Sequence, residues 1–281
     1  MEFPLSSAAT SRFEYLAEAG STNDVLVAHA TGADAAAWPD FSAVVTDNQT
    51  RGRGRLGRTW LAPTGKSLAI SVLLRPVLPG GEALPPHRLG WFPLLAGAAM
   101  TLAVRDIVDA AIDAATDGLD EQPAKHEITL KWPNDVLIDG YKVSGVLSEL
   151  LPDARGIIIG TGLNVSLDEH DLPTLTSTSL LLVTGSSPDV DDVLSRYLAR
   201  LAELYRAFLA ADADPRASGL FDTVTALCGT LGSTVRVELP GGTDLIGTAE
   251  GIDGDGRLIV HNRDDGEIQA VAAGDVTHLR Y

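Results

Sequence analysis

The chain has 281 residues, 45% of them hydrophobic and 21% charged, with a formal net charge of −17 and a pI near 4.6. That length suits one large domain plus a small one, and so acidic an overall field opposes general affinity for nucleic acid or anionic membranes. The single cysteine, Cys228, excludes an intramolecular disulfide and any cysteine-rich metal cluster, and its Thr-Ala-Leu-Cys-Gly setting marks it as a small core residue.

Residues 1–10 carry no basic segment ahead of an apolar run, so no signal peptide is expected. Residues 13–19 read as a short strand. Gly20-Ser21-Thr22-Asn23-Asp24 follows, where Ser21 or Thr22 can cap a helix to about Ala30 with Asp24 in its first turn. Residues 41–47 are apolar and β-branched, a buried strand leading into Thr50-Arg51-Gly52-Arg53-Gly54-Arg55-Leu56-Gly57-Arg58-Thr59-Trp60. Four arginines and three glycines here stand out against an acidic chain. Glycine lets backbone N–H groups approach a ligand, and the guanidinium fork matches phosphate oxygens, so the segment reads as an anion site. Taken alone it could equally be a solvated basic loop or a nucleic-acid contact.

Residues 67–74 resume as a strand, residues 76–86 form a Pro/Gly-rich connector, and residues 93–115 repeat with a helical period. Beyond a polar stretch at 116–126, residues 127–132, 135–151 (broken at Asp139-Gly140) and 156–161 read as closely spaced strands. Asp-Gly between apolar runs signals a hairpin, and the short spacing implies an antiparallel meander rather than βαβ units. Residues 191–211 form an amphipathic helix with Leu194, Leu198, Leu201, Leu204 and Phe208 on one side. Short β-rich runs at 233–239, 248–252, 258–261 and 268–272 then alternate with glycine turns, without any lysine, as in a small barrel of about fifty residues. The domain boundary is expected near Ala226, giving domains 1–226 and 227–281. The longest apolar stretches, near 94–104 and 180–183, fall short of a bilayer span, so a cytoplasmic protein without membrane association is expected.

Six motifs occur in a fixed order: Gly20-Ser21-Thr22-Asn23, Gln49-Thr50-Arg51-Gly52-Arg53-Gly54-Arg55, Gly57-Arg58-Thr59-Trp60, Lys131-Trp132-Pro133-Asn134-Asp135, Lys142-Val143-Ser144-Gly145-Val146-Leu147 and Gly160-Thr161-Gly162-Leu163-Asn164-Val165. Together they resemble the biotin protein ligases, or biotin–[acetyl-CoA-carboxylase] ligases, from about residue 13 to the end of the chain. The resemblance implies an α+β fold: a mixed sheet flanked by helices, of class II synthetase and biotin–lipoate ligase type, followed by an SH3-like barrel. It implies biotin and ATP as substrates with Mg²⁺, biotinyl-5′-adenylate as intermediate, and a lysine of a biotin carboxyl carrier protein as acceptor. About a dozen residues precede the first strand, so a monofunctional form is expected, without the DNA-binding module; a weak homodimer is left open. A lipoate–protein ligase is the rival enzyme, and an anion or RNA binder the rival from another class.

The same resemblance implies residue roles. Ser21, Thr22, Asn23, Gln49, Arg53, Gly54, Arg55, Lys142 and Gly145 would meet biotin; Arg53, Arg55, Trp60, Asn134, Asp135 and Asn164 would meet ATP. Arg55, Lys142 and Asp135 would serve the chemistry, and Asp135 would also hold Mg²⁺. Residue types suit these tasks: short hydroxyls and amides pair with a ureido ring, and cations offset the repulsion between a carboxylate and a triphosphate. Each has a plainer alternative. For Ser21 it is a helix cap and nothing more, for Trp60 and Trp132 a place in the core, and for Lys142 a solvated hairpin lysine. Arg51 and Arg58 are expected to order the loop or dock the carrier, and Lys131 to anchor its turn. Ser144 departs conservatively from the Ala or Gly common in the family.

Overall fold

The computed structural model describes residues 1–60, 62–116, 125–239 and 242–279. Its larger unit is a seven-stranded sheet. Strands β1 (Arg12–Leu16) and β2 (Ser42–Thr46) pair in parallel, and every other neighbouring pair is antiparallel. Next to β2 lies β5 (Ser67–Leu74), then β9 (Ile157–Asn164), β8 (Tyr141–Leu150), β7 (Asp135–Ile138) and β6 (Ile128–Lys131). The last four form the meander that the spacing implied. The polar stretch at 116–126 lies, over 117–124, outside the described residues.

Both faces of the central strands are covered, which is why β2 and β5 are apolar without alternation. Successive side chains still point to opposite faces. Ala43 and Val45 enter the main core, whereas Val44 joins Leu26, Ala30, Trp38 and Ile158 in a smaller cluster under helix α2 (Thr22–Thr31). Ser21 caps α2 by accepting from the Asp24 N–H at 3.5 Å. The opposite face is covered by α3 (Trp91–Thr116) and α5 (Val190–Ala210), which pack together. α5 buries Leu194, Leu198, Leu201 and Phe208, as its period requires, with Tyr205 beside them, while Leu204 is only partly buried against the same core. Three short helices escaped the sequence reading: α1 (Pro4–Ala8), α4 (Leu180–Thr184) and α6 (Leu220–Leu227). Each is too brief to establish a period. Cys228, directly after α6, is buried in the main core.

The second unit corrects one expectation. Instead of a closed barrel it is an open five-stranded antiparallel sheet, ordered β13 (Ile268–Val271), β12 (Leu258–Asn262), β11 (Asp244–Ile252), β10 (Thr234–Glu238), β14 (Asp275–His278). Gly274 lets the chain turn tightly past Val237, where a Cβ would lie 2.6 Å from the valine side chain. β14 therefore returns beside β10, and the edge strands β13 and β14 do not pair with each other among the described residues. β14, four residues long, is a strand the sequence reading missed.

The sheet is seated on two buried tryptophans of the larger unit. Trp91 Nε1 donates to the Gly254 carbonyl at 2.9 Å and Trp132 Nε1 to that of Gly256 at 3.0 Å. The connecting segment adds contacts, with Trp132 N donating to Thr230 Oγ1 at 3.0 Å and Gly229 N to the Leu130 carbonyl at 3.0 Å. No described helix is long and apolar enough to cross a membrane.

Candidate active site

A cleft of about 740 Å³ runs between the start of α2, the arginine loop, the open faces of β7 to β9, residues 173–177 and β14. It can be built from one end to the other.

At the first end, the backbone N–H of Thr22 donates to Gln49 Oε1 at 2.9 Å, and the Thr22 hydroxyl lies 3.1 Å from the same oxygen. Ser71 Oγ, buried on β5, lies 2.8 Å from Thr22 Oγ1 and 2.6 Å from Asn23 Oδ1. Gly160 makes room for this arrangement, since a Cβ there would stand 2.4 Å from Asn23 Oδ1. Ser21, Thr22, Asn23 and Gln49 all line the cleft, next to Ala69 and Ile70. The result is a recess with convergent polar groups on an apolar floor.

The arginine loop forms the roof. It is pinned back to residue 20, with Arg51 N donating to the Gly20 carbonyl at 2.7 Å, and β3 (Gly52–Arg53) pairs with β4 (Thr59–Trp60) as a small hairpin. Leu56 and Gly57 take positive φ, 55° and 73°, at its tip. The side chains of Arg53, Arg55 and Arg58 have different fates. Arg53 donates to Asp24 at 2.7 Å and to Glu149 at 3.1 Å. Arg58 pairs with Asp275 of β14. Arg55 turns inward, donating to Asn134 Oδ1 at 2.9 Å and to the Gly274 carbonyl at 3.3 Å, with no carboxylate in contact among the described residues. Burial draws the Arg55 pKa below the ordinary arginine value, Asp135 and Asp275 opposing that shift.

Strands β7 and β8 supply the wall. Their pairing shifts register between Val136 and Leu137, so Gly145 stands opposite Asp135 while Lys142 stands opposite Leu137. Lys142 Nζ reaches Asp135 Oδ1 at 2.6 Å over the bare Gly145, where a Cβ would come within 2.9 Å of the ammonium. The Lys142 main chain is bracketed by residues 176–178, donating to the Thr176 carbonyl and accepting from Thr178 N, both at 2.8 Å. Trp60 packs on Gly162, its ring 2.4 Å from where a Cβ would sit, with Lys142 Nζ 5.8 Å from the ring centroid. The Trp60 indole N–H is buried without a partner among the described residues. Asn134 is held by its own amide, which donates to the Val146 carbonyl at 2.6 Å. The Trp132–Pro133 bond preceding it is cis.

Two placements differ from the sequence reading. Asn164 is not among the residues that line the cleft: it is buried, and its amide donates to the Thr178 carbonyl at 2.9 Å, tying β9 to the segment that brackets Lys142. Lys131, assigned only to the turn, lines the cleft; burial pushes its pKa below the usual lysine value, and no ion-pair partner lies within 4 Å among the described residues. Sequence reasoning also missed Ser71, Glu149, Gly274 and Asp275. Asp275 follows Gly274 in a glycine turn, the one local cue. Ser71 and Glu149 sit in strands where nothing distinguishes them from neighbours.

Asp135 and Asp275 are the carboxylates that line the cleft among the described residues, so a divalent cation there would draw on one or both of them to hold it. No group of three or more His, Cys, Asp or Glu among the described residues could do so unaided, which suits an ion that takes one or two carboxylates and completes its shell with phosphate oxygens.

Residues 21–164 match the Biotin/lipoate A/B protein ligase family, and residues 230–279 match the Biotin protein ligase C terminal domain. The chain is 36% identical over 274 residues to the Biotin--[acetyl-CoA-carboxylase] ligase of Mycobacterium tuberculosis, covering 96% of this chain and 90% of the relative. It superimposes with a TM-score of 0.68 at 28% identity on the biotin protein ligase from Aquifex aeolicus in complex with biotin and ATP, covering 96% of this chain and 100% of the other. The Leishmania major biotin protein ligase in complex with biotinyl-5-AMP gives a TM-score of 0.54 at 26% identity, over 94% of this chain and 99% of that one.

Proposed function

The chain belongs to the biotin/lipoate A/B protein ligase family, and from that membership and the cleft we infer that it is an ATP-dependent biotin ligase that activates biotin as biotinyl-5′-AMP and transfers it to a lysine of a biotin carboxyl carrier protein. The observation that carries this reading is the cleft's asymmetry. One end is a polar-lined apolar recess; the other holds Arg55 and Lys131, partly buried cations with no carboxylate in contact among the described residues. A neutral ring fits the first end and a polyphosphate the second.

In the first half-reaction the biotin carboxylate oxygen attacks the α-phosphorus of ATP, a P–O bond forms, and pyrophosphate leaves with the electrons of the bond that breaks. Ser21, Thr22, Asn23 and Gln49 hold the ureido ring, with Arg53 and Gly54 above it. Arg55, held in place by Asn134 and the Gly274 carbonyl, offsets the charge that builds between carboxylate and phosphate, and Lys142 does so from the opposite wall. Preorganised donors of this kind need no rearrangement as charge develops. Trp60 lies beside the nucleotide, its free indole N–H available to a ligand acceptor. Mg²⁺, held by Asp135 and phosphate oxygens, would neutralise the triphosphate.

In the second half-reaction the carrier amine attacks the acyl carbonyl, an amide C–N bond forms, and AMP leaves. Lys142 supports the carbonyl oxygen, and Asp135, 2.6 Å from Lys142, is placed to orient the incoming amine. The decisive test is incubation with MgATP and labelled biotin, lipoate or octanoate. Biotinyl-AMP, and transfer of label to a carrier domain, are expected. Acyl-AMP from lipoate or octanoate but not biotin would replace this reading with its nearest rival.

A further inference from the structure

Glu149 stands at the far end of β8, outside the cleft lining, and no motif singled it out. Its carboxylate nevertheless joins the two elements that enclose the recess. Oε2 accepts from Asn23 Nδ2 at 2.5 Å, and both carboxylate oxygens lie 3.1–3.2 Å from Arg53 NH2. Asp24, one residue after Asn23, takes the same guanidinium at 2.7 Å.

Donor and acceptor logic gives this carboxylate a directing role. An ionised carboxylate only accepts, so the amide group facing Glu149 is the NH₂ and Asn23 Oδ1 must face Ser71. The amide oxygen also only accepts, so the Ser71 proton is drawn to it at 2.6 Å rather than to Thr22 at 2.8 Å. The Thr22 proton is then committed to Ser71 or to Gln49 Oε1, and either way the Thr22 oxygen keeps both lone pairs for a ligand N–H. Without the carboxylate, the Asn23 amide can turn over and Ser71 can donate toward Thr22, taking one of the two lone pairs of the Thr22 oxygen and leaving a single one for a ligand. The second arm is mechanical. Arg53 is two residues from Arg55, so the grip of Glu149 and Asp24 on its fork ties the roof of the recess to the first turn of α2.

We propose that Glu149 is a positioning residue for biotin recognition: it sets the hydrogen-bond polarity of the recess floor through Asn23 and docks the arginine loop through Arg53. This rests on the recess being the biotin site.

The test measures pyrophosphate release and biotin binding by calorimetry in the full chain. Glu149→Ala should raise the biotin KM by about tenfold or more, the scale of losing hydrogen bonds to a charged group, while kcat at saturating biotin and the ATP KM stay within about twofold. Glu149→Gln keeps an acceptor for Asn23 and loses only the charge, so its biotin KM should fall between those of the parent and the alanine variant. It also stays informative should the alanine variant fail to fold. Combining Glu149→Ala with Arg53→Ala should cost less than the two separately, because the residues share one interaction. An unchanged biotin KM in both Glu149 variants, or a loss confined to kcat or to the ATP KM, would overturn the proposal. A parent that makes no biotinyl-AMP would bring down the functional reading and this inference together; a competent parent with indifferent Glu149 variants brings down this inference alone.

Discussion

Arg53 and Arg55 are separated by one glycine in the same loop, yet they serve opposite ends of the cleft. Arg53 is partly exposed and satisfied by two carboxylates, Asp24 and Glu149. Arg55 is more deeply buried and holds only neutral partners, Asn134 Oδ1 and the Gly274 carbonyl. A cation already matched by acids has little left to offer an incoming phosphate, and pairs this exposed contribute about 0–1 kcal/mol each to stability. A buried cation without a counter-ion has been desolvated in advance, and an anion that reaches it recovers the lost interaction. The first arginine is architecture. The second is poised for chemistry.

Substitutions that separate these roles should rank accordingly. Arg55→Ala is expected to slow biotinyl-AMP formation by a hundred to a thousandfold, about 2.7–4 kcal/mol of transition-state stabilisation, with biotin affinity largely kept. Unchanged pyrophosphate release would make the two arginines equivalent after all. Lys142→Gln should lower both half-reactions, by roughly a hundredfold each, while the melting temperature stays near the parent's because the side chain is partly solvated. Lys142→Arg should recover little, since a broad fork does not fit over Gly145 as a compact ammonium does. A variant too unstable to assay would show that the Lys142–Asp135 pair holds the hairpin together.

Lys131→Met sharpens the comparison further. It should raise the ATP KM by about tenfold, near 1.4 kcal/mol, without moving the biotin KM. Equal shifts in both would mean that Lys131 supports the wall rather than a phosphate.

The smallest expected effect concerns the tether between loop and C-terminal sheet. Burial pushes the Asp275 carboxyl upward, but the Arg58 hydrogen bond and charge, with help from Lys131 and Arg55, outweigh it and hold its pKa below the usual carboxylate range. A group depressed on folding stabilises above its unfolded pKa, about 3.9, and loses that contribution as pH falls through the lower folded value. The difference in melting temperature between parent and Asp275→Asn should therefore be full near neutrality and shrink below about pH 4. A difference independent of pH would mean that the ion pair is not its source.

Much of the site could be read before any coordinates. Thr22, Asn23, Gln49, Arg55, Asp135 and Lys142 come from four separate segments, and the structure brings them to one cleft. They were legible because their motifs carry local signals: a helix cap, glycines beside arginines, a hairpin turn. Ser71 and Glu149 were not, because a serine or glutamate in a strand becomes informative only when its neighbours across the sheet are known. Asn164 shows the converse, a motif residue outside the cleft lining whose amide donates to the Thr178 carbonyl.

By itself, then, the sequence determined the order of the longer elements, the antiparallel meander, the amphipathic helix α5 and the family's motifs, since periodicity and turn chemistry act over a few neighbouring residues. Only the tertiary structure decided that β14 returns beside β10 to leave an open sheet, that Asp275 reaches Arg58, and that one arginine is neutralised while its neighbour two positions on is not. Those outcomes depend on which carboxylates arrive from Asp24, Glu149 and Asp275, as many as 217 positions away in the chain. Charge pairing is set by distance in space, and no local pattern encodes it.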